Sequence, residues 1–238
     1  MSPVIRVAAL LCLLDVCGLA APLVDDFVLE SVRVVNDPDG YVNVRSGPSL
    51  QSKIVGRVNS GSVVAVEAAL EGEWARLVAD EEGETPRYVH ASRLKGIVPW
   101  KQTGATPGDD GKEAVFRDGG LEVRVTSVPF EVSGRAVTRD KHGFHLVDGR
   151  RPWGQDGGLP KESLVLTAKS NGRKVEIPEV AMRDLFEPNL DSLAVLTPSD
   201  PGERALVLMS NSDGAGAYVV IWAFEEGTYR GRVVFNPF

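Results

Sequence analysis

The run Asp39-Gly40-Tyr41-Val42-Asn43-Val44-Arg45-Ser46-Gly47-Pro48-Ser49 constrains this chain more than any other. Tyr41, Val42 and Val44 favour an extended strand, because β-branched and aromatic side chains fit a pleated surface. Gly47-Pro48 ends it: glycine supplies turn dihedrals and proline has no N–H for a ladder. The same grammar recurs on both sides. Residues 32–35 precede the turn cluster Asn36-Asp37-Pro38-Asp39-Gly40. Residues 54–58 lead into Asn59-Ser60-Gly61, residues 62–68 into Glu71-Gly72-Glu73, and residues 74–78 into a polar tip at 80–84. Residues 88–90 form the last strand, and Ala91-Ser92-Arg93-Leu94 turn out of it. Five or six short strands in about 65 residues predict a small barrel.

Three of these stretches resemble the bacterial SH3-like (SH3b) domain. They are the opening Gly40-Tyr41-Val42-Asn43-Val44-Arg45-Ser46-Gly47-Pro48-Ser49, the middle Gly72-Glu73-Trp74-Ala75-Arg76-Leu77, and the closing Tyr88-Val89-His90-Ala91-Ser92-Arg93-Leu94. The resemblance spans residues 27–98, under a third of the chain. It implies a module that binds cell-wall peptide or other peptides, so the implied partner is a peptidoglycan stem peptide or an envelope protein. Tyr41, Arg45, Trp74 and Tyr88 are the ligand-binding candidates. Exposed aromatics stack on peptide or sugar faces, and an arginine contacts a carboxylate. The competing reading is structural: Tyr41 and Trp74 pack in the core or rim, and Arg45 pairs with Glu73 or a strand carbonyl. Gly47 is read as a turn position.

Residues 99–111, rich in Gly, Pro and Asp, read as a flexible, exposed linker, with Trp100 able to pack back on the barrel. A second, β-rich region of unknown function is expected over 112–238. Strand-like stretches are 123–126, 144–147, 163–167, 174–177 (after the hairpin signal Asn171-Gly172), 192–196, 204–209, 217–224 and 230–235. Asp213-Gly214-Ala215-Gly216 and Glu226-Gly227 separate the last three. Pro178 suits the first position of a helix over 178–186, and Pro188-Asn189 stops it. The fold class is therefore mainly β: a small SH3-like barrel, then an antiparallel β-sandwich-like or meander domain with one short helix. This half faintly resembles a tail domain of uncharacterised secreted bacterial proteins. The resemblance rests on residues 153–160, 185–189, 212–218 and 232–234, and implies no activity.

Residues 1–20 have the layout of a secretory signal peptide: Arg6, an apolar run from Val7 to Leu14, then Gly18-Leu19-Ala20 as a cleavage site. The run is too short for a transmembrane helix, so no stable membrane span is expected. Both cysteines, Cys12 and Cys17, fall in this leader. A cut after Ala20 leaves no thiol for disulfides, catalysis or zinc. Cys17 as a lipidated first residue is disfavoured by the large Val16 before it.

A net charge of −7 without a basic cluster argues against nucleic-acid binding. His142 and His145 have metal-like spacing only on a helix, and their Gly-containing surroundings favour strand or loop. His90 reads as a barrel-surface histidine. Asp37-Pro38-Asp39-Gly40 and Asn211-Ser212-Asp213-Gly214 look like partial calcium loops but read as turns. No Gly-x-Ser-x-Gly occurs, and the Cys/His or zinc set of a wall hydrolase is missing. The expectation is a secreted or periplasmic, non-enzymatic binding protein with no metal and no cofactor. The alternatives are a protein-interaction module without wall affinity, and a hydrolase in the second half. For the hydrolase, Asp156, Asp184 and Glu187 are possible acid and base, and a polar cleft at 153–160 with Asp156 near His145 would mark it.

Overall fold

Residues 24–78, 85–98, 100–155, 158–198, 204–211, 214 and 216–237 are described by a computed structural model of the chain. The short alternating stretches become strands. The first seven are β1 (Val32–Val35), β2 (Tyr41–Arg45), β3 (Ile54–Asn59), β4 (Val63–Glu71), β5 (Trp74–Leu77), β6 (Arg87–His90) and β7 (Leu94–Gly96). They form one antiparallel sheet in the order β3-β2-β6-β5-β4-β1-β7. Alternate residues point inward, so Val35, Val42, Val44, Val64, Val66, Ala75, Leu77 and Val89 make a core inside the curled sheet. A six-residue helix, α1 (Asp26–Ser31), precedes β1, and the Asp25 side chain caps it by accepting from the Phe27 N–H at 2.8 Å.

Twelve more strands follow among the described residues. They are β8 (Lys101–Gly104), β9 (Thr106–Pro107), β10 (Glu113–Asp118), β11 (Leu121–Pro129), β12 (Val137–Arg139), β13 (His145–Val147), β14 (Glu162–Ser170), β15 (Arg173–Lys174), β16 (Ala194–Thr197), β17 (Arg204–Asn211), β18 (Tyr218–Glu225) and β19 (Thr228–Phe235). One five-stranded sheet runs β19-β18-β17-β16-β8; the other runs β15-β14-β11-β10-β9. β12 and β13 form a separate hairpin. The expected mainly β fold is what the chain adopts.

The first of these sheets lies in the middle of the molecule. Its residues Val207, Met209, Tyr218, Val220, Trp222 and Phe224 pack against Phe116, Val123, Val125, Leu164 and Leu166 of the other sheet. The intervening residues Leu206, Leu208, Val219 and Ile221 point the opposite way. They pack against Val28 and Leu29 of α1, Val32 and Val34 of β1, Ala65 of β4, and Ile97. The barrel wall at β1 and β4 is thus also the lid of the central sheet. At about 1.5–3 kcal/mol for each fully buried large aliphatic side chain, neither cover is dispensable.

Two sequence expectations are corrected. The stretch read as a flexible, exposed linker is woven into both sheets. β8 pairs with β16, with Thr103 opposite Val195. The chain crosses at Ala105, whose N–H donates to the Leu193 carbonyl at 3.0 Å, and β9 then pairs with β10. Both are edge strands, where glycine and proline are tolerated because one side of the ladder is unused. The helix expected over 178–186 is only a 3-10 turn, Glu179–Ala181. An α-helix would need the Ala181 carbonyl for the Leu185 N–H. Here the Trp222 indole donates to that carbonyl at 2.8 Å, and Leu185 N–H turns back to Met182 at 3.0 Å. The one α-helix among the described residues is α1.

Four distant segments meet at one end of the sandwich. Trp153 bridges in parallel to Leu185, and Gly154 N–H donates to Gly216 at 3.0 Å. The Phe186 carbonyl accepts from Tyr218 Oη at 3.1 Å and Asn211 Nδ2 at 3.4 Å. Arg232 grips the Asp184 carboxylate with Nη1–Oδ1 and Nη2–Oδ2 both at 2.7 Å. Burial pushes the Tyr218 phenol far above its usual range, so it stays a neutral donor. Gly154 has φ +91°, and a Cβ there would sit 2.2 Å from the Phe186 carbonyl oxygen. Gly143 has a similar φ of +88° but open space around it. Gly143→Ala is therefore expected to cost about 1 kcal/mol from backbone strain alone. Gly154→Ala is expected to cost several-fold more, since backbone atoms must move. Urea denaturation of both variants checks this; equal losses would contradict it.

Candidate binding face of the barrel

Strands β2, β5 and β6 turn their inner residues into the barrel core and their alternate residues outward. The register brings three of the four candidate residues into neighbouring rows. Arg45 lies opposite Tyr88, Tyr88 opposite Arg76, and Trp74 opposite His90. Tyr41 lies on β2, four residues before Arg45 and on the same side, since period-two alternation keeps even separations on one face.

The candidates differ in what they can offer a ligand. Trp74 and Tyr88 are only 8% and 7% exposed, which corrects the expectation of exposed aromatic platforms at these two positions. The His90 ring packs edge-on against Trp74, with centroids 5.2 Å apart. The Tyr88 hydroxyl donates to Glu71 Oε1 at 2.9 Å, and this hydrogen bond, followed by burial, raises the phenol's pKa. Arg45 Nη1 donates to the carbonyls of Leu50 at 2.7 Å and Ser52 at 2.8 Å, pinning the loop between β2 and β3. Its partners are loop carbonyls, not Glu73. Tyr41 is half-buried, and the Arg57 guanidinium lies 4.4 Å from its ring centroid.

Arg57 is the residue the sequence reading passed over. It sits on β3 opposite Asn43, and its Nε donates to Asn43 Oδ1 at 3.3 Å. Hairpin pairing alone would have placed it beside Tyr41. A charge signal was also present: residues 41–66 contain Arg45, Lys53 and Arg57 and no acidic residue, in a chain of net charge −7. Strand β3 is a sheet edge, and it exposes Ile54 and Val55 next to Leu50, which is 67% exposed. The barrel therefore presents a cationic hairpin with an aromatic platform at one end and exposed aliphatic groups at the other.

Other sequence candidates resolve locally. Asp37 Oδ1 accepts from the Asp39 N–H at 2.9 Å, a turn contact, and Arg93 lies 3.5 Å from its other oxygen. His142 sits in a turn whose N–H donates to Asp140 Oδ1 at 2.8 Å, while His145 lies on β13 with Gln155 Nε2 3.4 Å from its Nδ1. Among the described residues, no group of three or more His, Cys, Asp or Glu side chains could hold a metal ion. Residues 1–20, with Cys12 and Cys17, and Asp156, Ser212 and Asp213 lie outside the described residues. No helix among the described residues is long and apolar enough to cross a membrane.

Residues 40–95 match the family described as bacterial SH3 domain. The chain carries a bacterial SH3 domain. No curated protein and no solved structure matches the chain. The matched span opens at the Gly40 turn before β2 and closes in β7. Bacterial SH3 domains generally bind proteins or peptidoglycan. In this SH3 domain, α1 and β1, whose outer side meets the central sheet, lie before the matched span, and the outward face of β2, β3 and β6 lies within it.

Arg45 is expected to act as a tether rather than a contact. In Arg45→Ala, amides of residues 46–53 should exchange about tenfold faster, since two charge-assisted hydrogen bonds are lost. Exchange followed by NMR checks this, and unchanged protection of the loop would contradict it.

Proposed function

We propose that this chain is a non-enzymatic binding protein of the bacterial cell envelope, secreted or periplasmic, whose SH3 domain holds a peptidoglycan stem peptide. The observation that carries the reading is the cationic β2–β3 hairpin inside the matched SH3 span, with Tyr41 and Arg57 stacked at its outer face. A wall peptide is extended and bears free carboxylates. The hairpin supplies Arg57 and Lys53 for such groups and the Tyr41 ring for a flat face. Trp74 packs on His90 and Tyr88 is tied to Glu71 on the same outward side, and Arg45 holds the loop that carries Leu50. A leader over residues 1–20 belongs to the same reading.

A second reading is a protein partner with no wall affinity. The exposed Leu50, Ile54 and Val55 beside edge strand β3 favour it, because an unpaired strand edge with apolar neighbours accepts another extended segment.

Cosedimentation with purified sacculi separates the two. The protein is expected to pellet with sacculi. Tyr41→Ala, at a half-buried surface position, is expected to weaken binding about tenfold without unfolding the barrel. Absence of wild-type binding would overturn the wall reading and favour the protein partner. Equal binding by the variant would remove Tyr41 from the site.

A further inference from the structure

Where the barrel meets the central sheet, the shared apolar core does not fill the seam to its end. It opens into a cleft of about 420 Å³ lined by Val34, Asn36, Gly61, Lys95, Trp100 and Arg204, with Glu225 beside them. This size lies within the range of small-molecule sites, and such sites favour the junction of two modules. The cleft is separate from the β2–β3 face: it uses the side of β1 and β7 that looks toward the central sheet.

Its walls are built by the fold. Lys95 lies opposite Val34 in the β1–β7 ladder, so its side chain shares the face on which Val34 joins the seam core. Trp100 packs against that core. Arg204 and Glu225 face each other at the start of β17 and the end of β18 and form an ion pair. The turn at Gly61 comes close over them: a Cβ there would sit 3.0 Å from Arg204 Nη2. The absence of a side chain at Gly61 keeps this end open while φ is +88°.

The charges select a class of ligand. Arg204 and Arg230 are both engaged by Glu225, Arg230 at 3.5 Å, which leaves Lys95 as the lining cation without a carboxylate. The Lys95 side chain has no hydrogen-bond or ion-pair partner among the described residues. One uncompensated cation beside an indole matches one negative charge beside a flat or apolar surface. We propose that the seam cleft binds a small molecule carrying a single carboxylate, with Lys95 holding the anion and Trp100 packing on its apolar or ring face. The site is independent of the wall-binding reading.

The test uses the full chain and benzoate as the probe, followed by NMR at the Trp100 indole N–H, assigned with Trp100→Phe. Benzamide and phenyl phosphate are the comparisons. Benzoate is expected to shift the Trp100 signal saturably. Lys95→Gln, at an exposed position, is expected to weaken binding about tenfold, and benzamide to bind about tenfold more weakly than benzoate. No shift of the Trp100 signal, equal binding of benzamide, or tighter binding of phenyl phosphate would each overturn the proposal. Unchanged benzoate affinity in Lys95→Gln with its fold intact would do the same.

Discussion

The structure depends on two neighbouring strands that are apolar on both faces. Along β17 and β18, Val207, Met209, Val220 and Trp222 point one way and Leu206, Leu208, Val219 and Ile221 the other, all fully buried. An antiparallel sheet commonly leaves one face to water. This one cannot, because exposing either set would forfeit about half of the burial that stabilises it. Two covers are therefore obligatory. The outer sheet supplies one, and α1 with the barrel wall supplies the other. The barrel is held by its β1–β4 side, and this orientation leaves the β2–β3 hairpin facing outward.

Much of this was legible in the residues, and the failures have physical causes. The strands at 32–35, 41–45, 54–59, 204–211 and 218–225 follow from alternation and turn chemistry, which are local. The unbroken apolar run Tyr218-Val219-Val220-Ile221-Trp222-Ala223-Phe224 marks a strand buried on both faces, but it does not say what covers the second face. That choice is made by contacts about two hundred residues apart in sequence, such as Val28 with the Val219 and Ile221 cluster. Residues 101–107 have the composition of a linker because edge strands tolerate Gly and Pro. Residues 178–186 carry a helix start, yet the Trp222 indole claims a carbonyl that the helix would have needed. Tertiary demand overrode local propensity in both places.

The candidate face was legible in part. Tyr41, Arg45, Trp74 and Tyr88 do lie on the outward side of the barrel strands, but side-chain packing assigns them unequal tasks. Trp74 and Tyr88 are covered by His90 and tied to Glu71, and Arg45 is spent on loop carbonyls. What remains accessible is Tyr41 with Arg57, a pair sixteen residues apart that hairpin register brings together. The seam cleft was not legible at all. It exists because Gly61, the stretch from Lys95 to Trp100, and Arg204 arrive from three separate segments at the place where the two halves meet.

Through the central sheet, barrel and sandwich form one cooperative body. Scanning calorimetry of the full chain is the decisive measurement. A single transition is expected, with calorimetric and van't Hoff enthalpies that agree, a ratio of about one. Two resolved transitions, one of them matching the barrel alone, would contradict it and make the shared core a contact between independent domains.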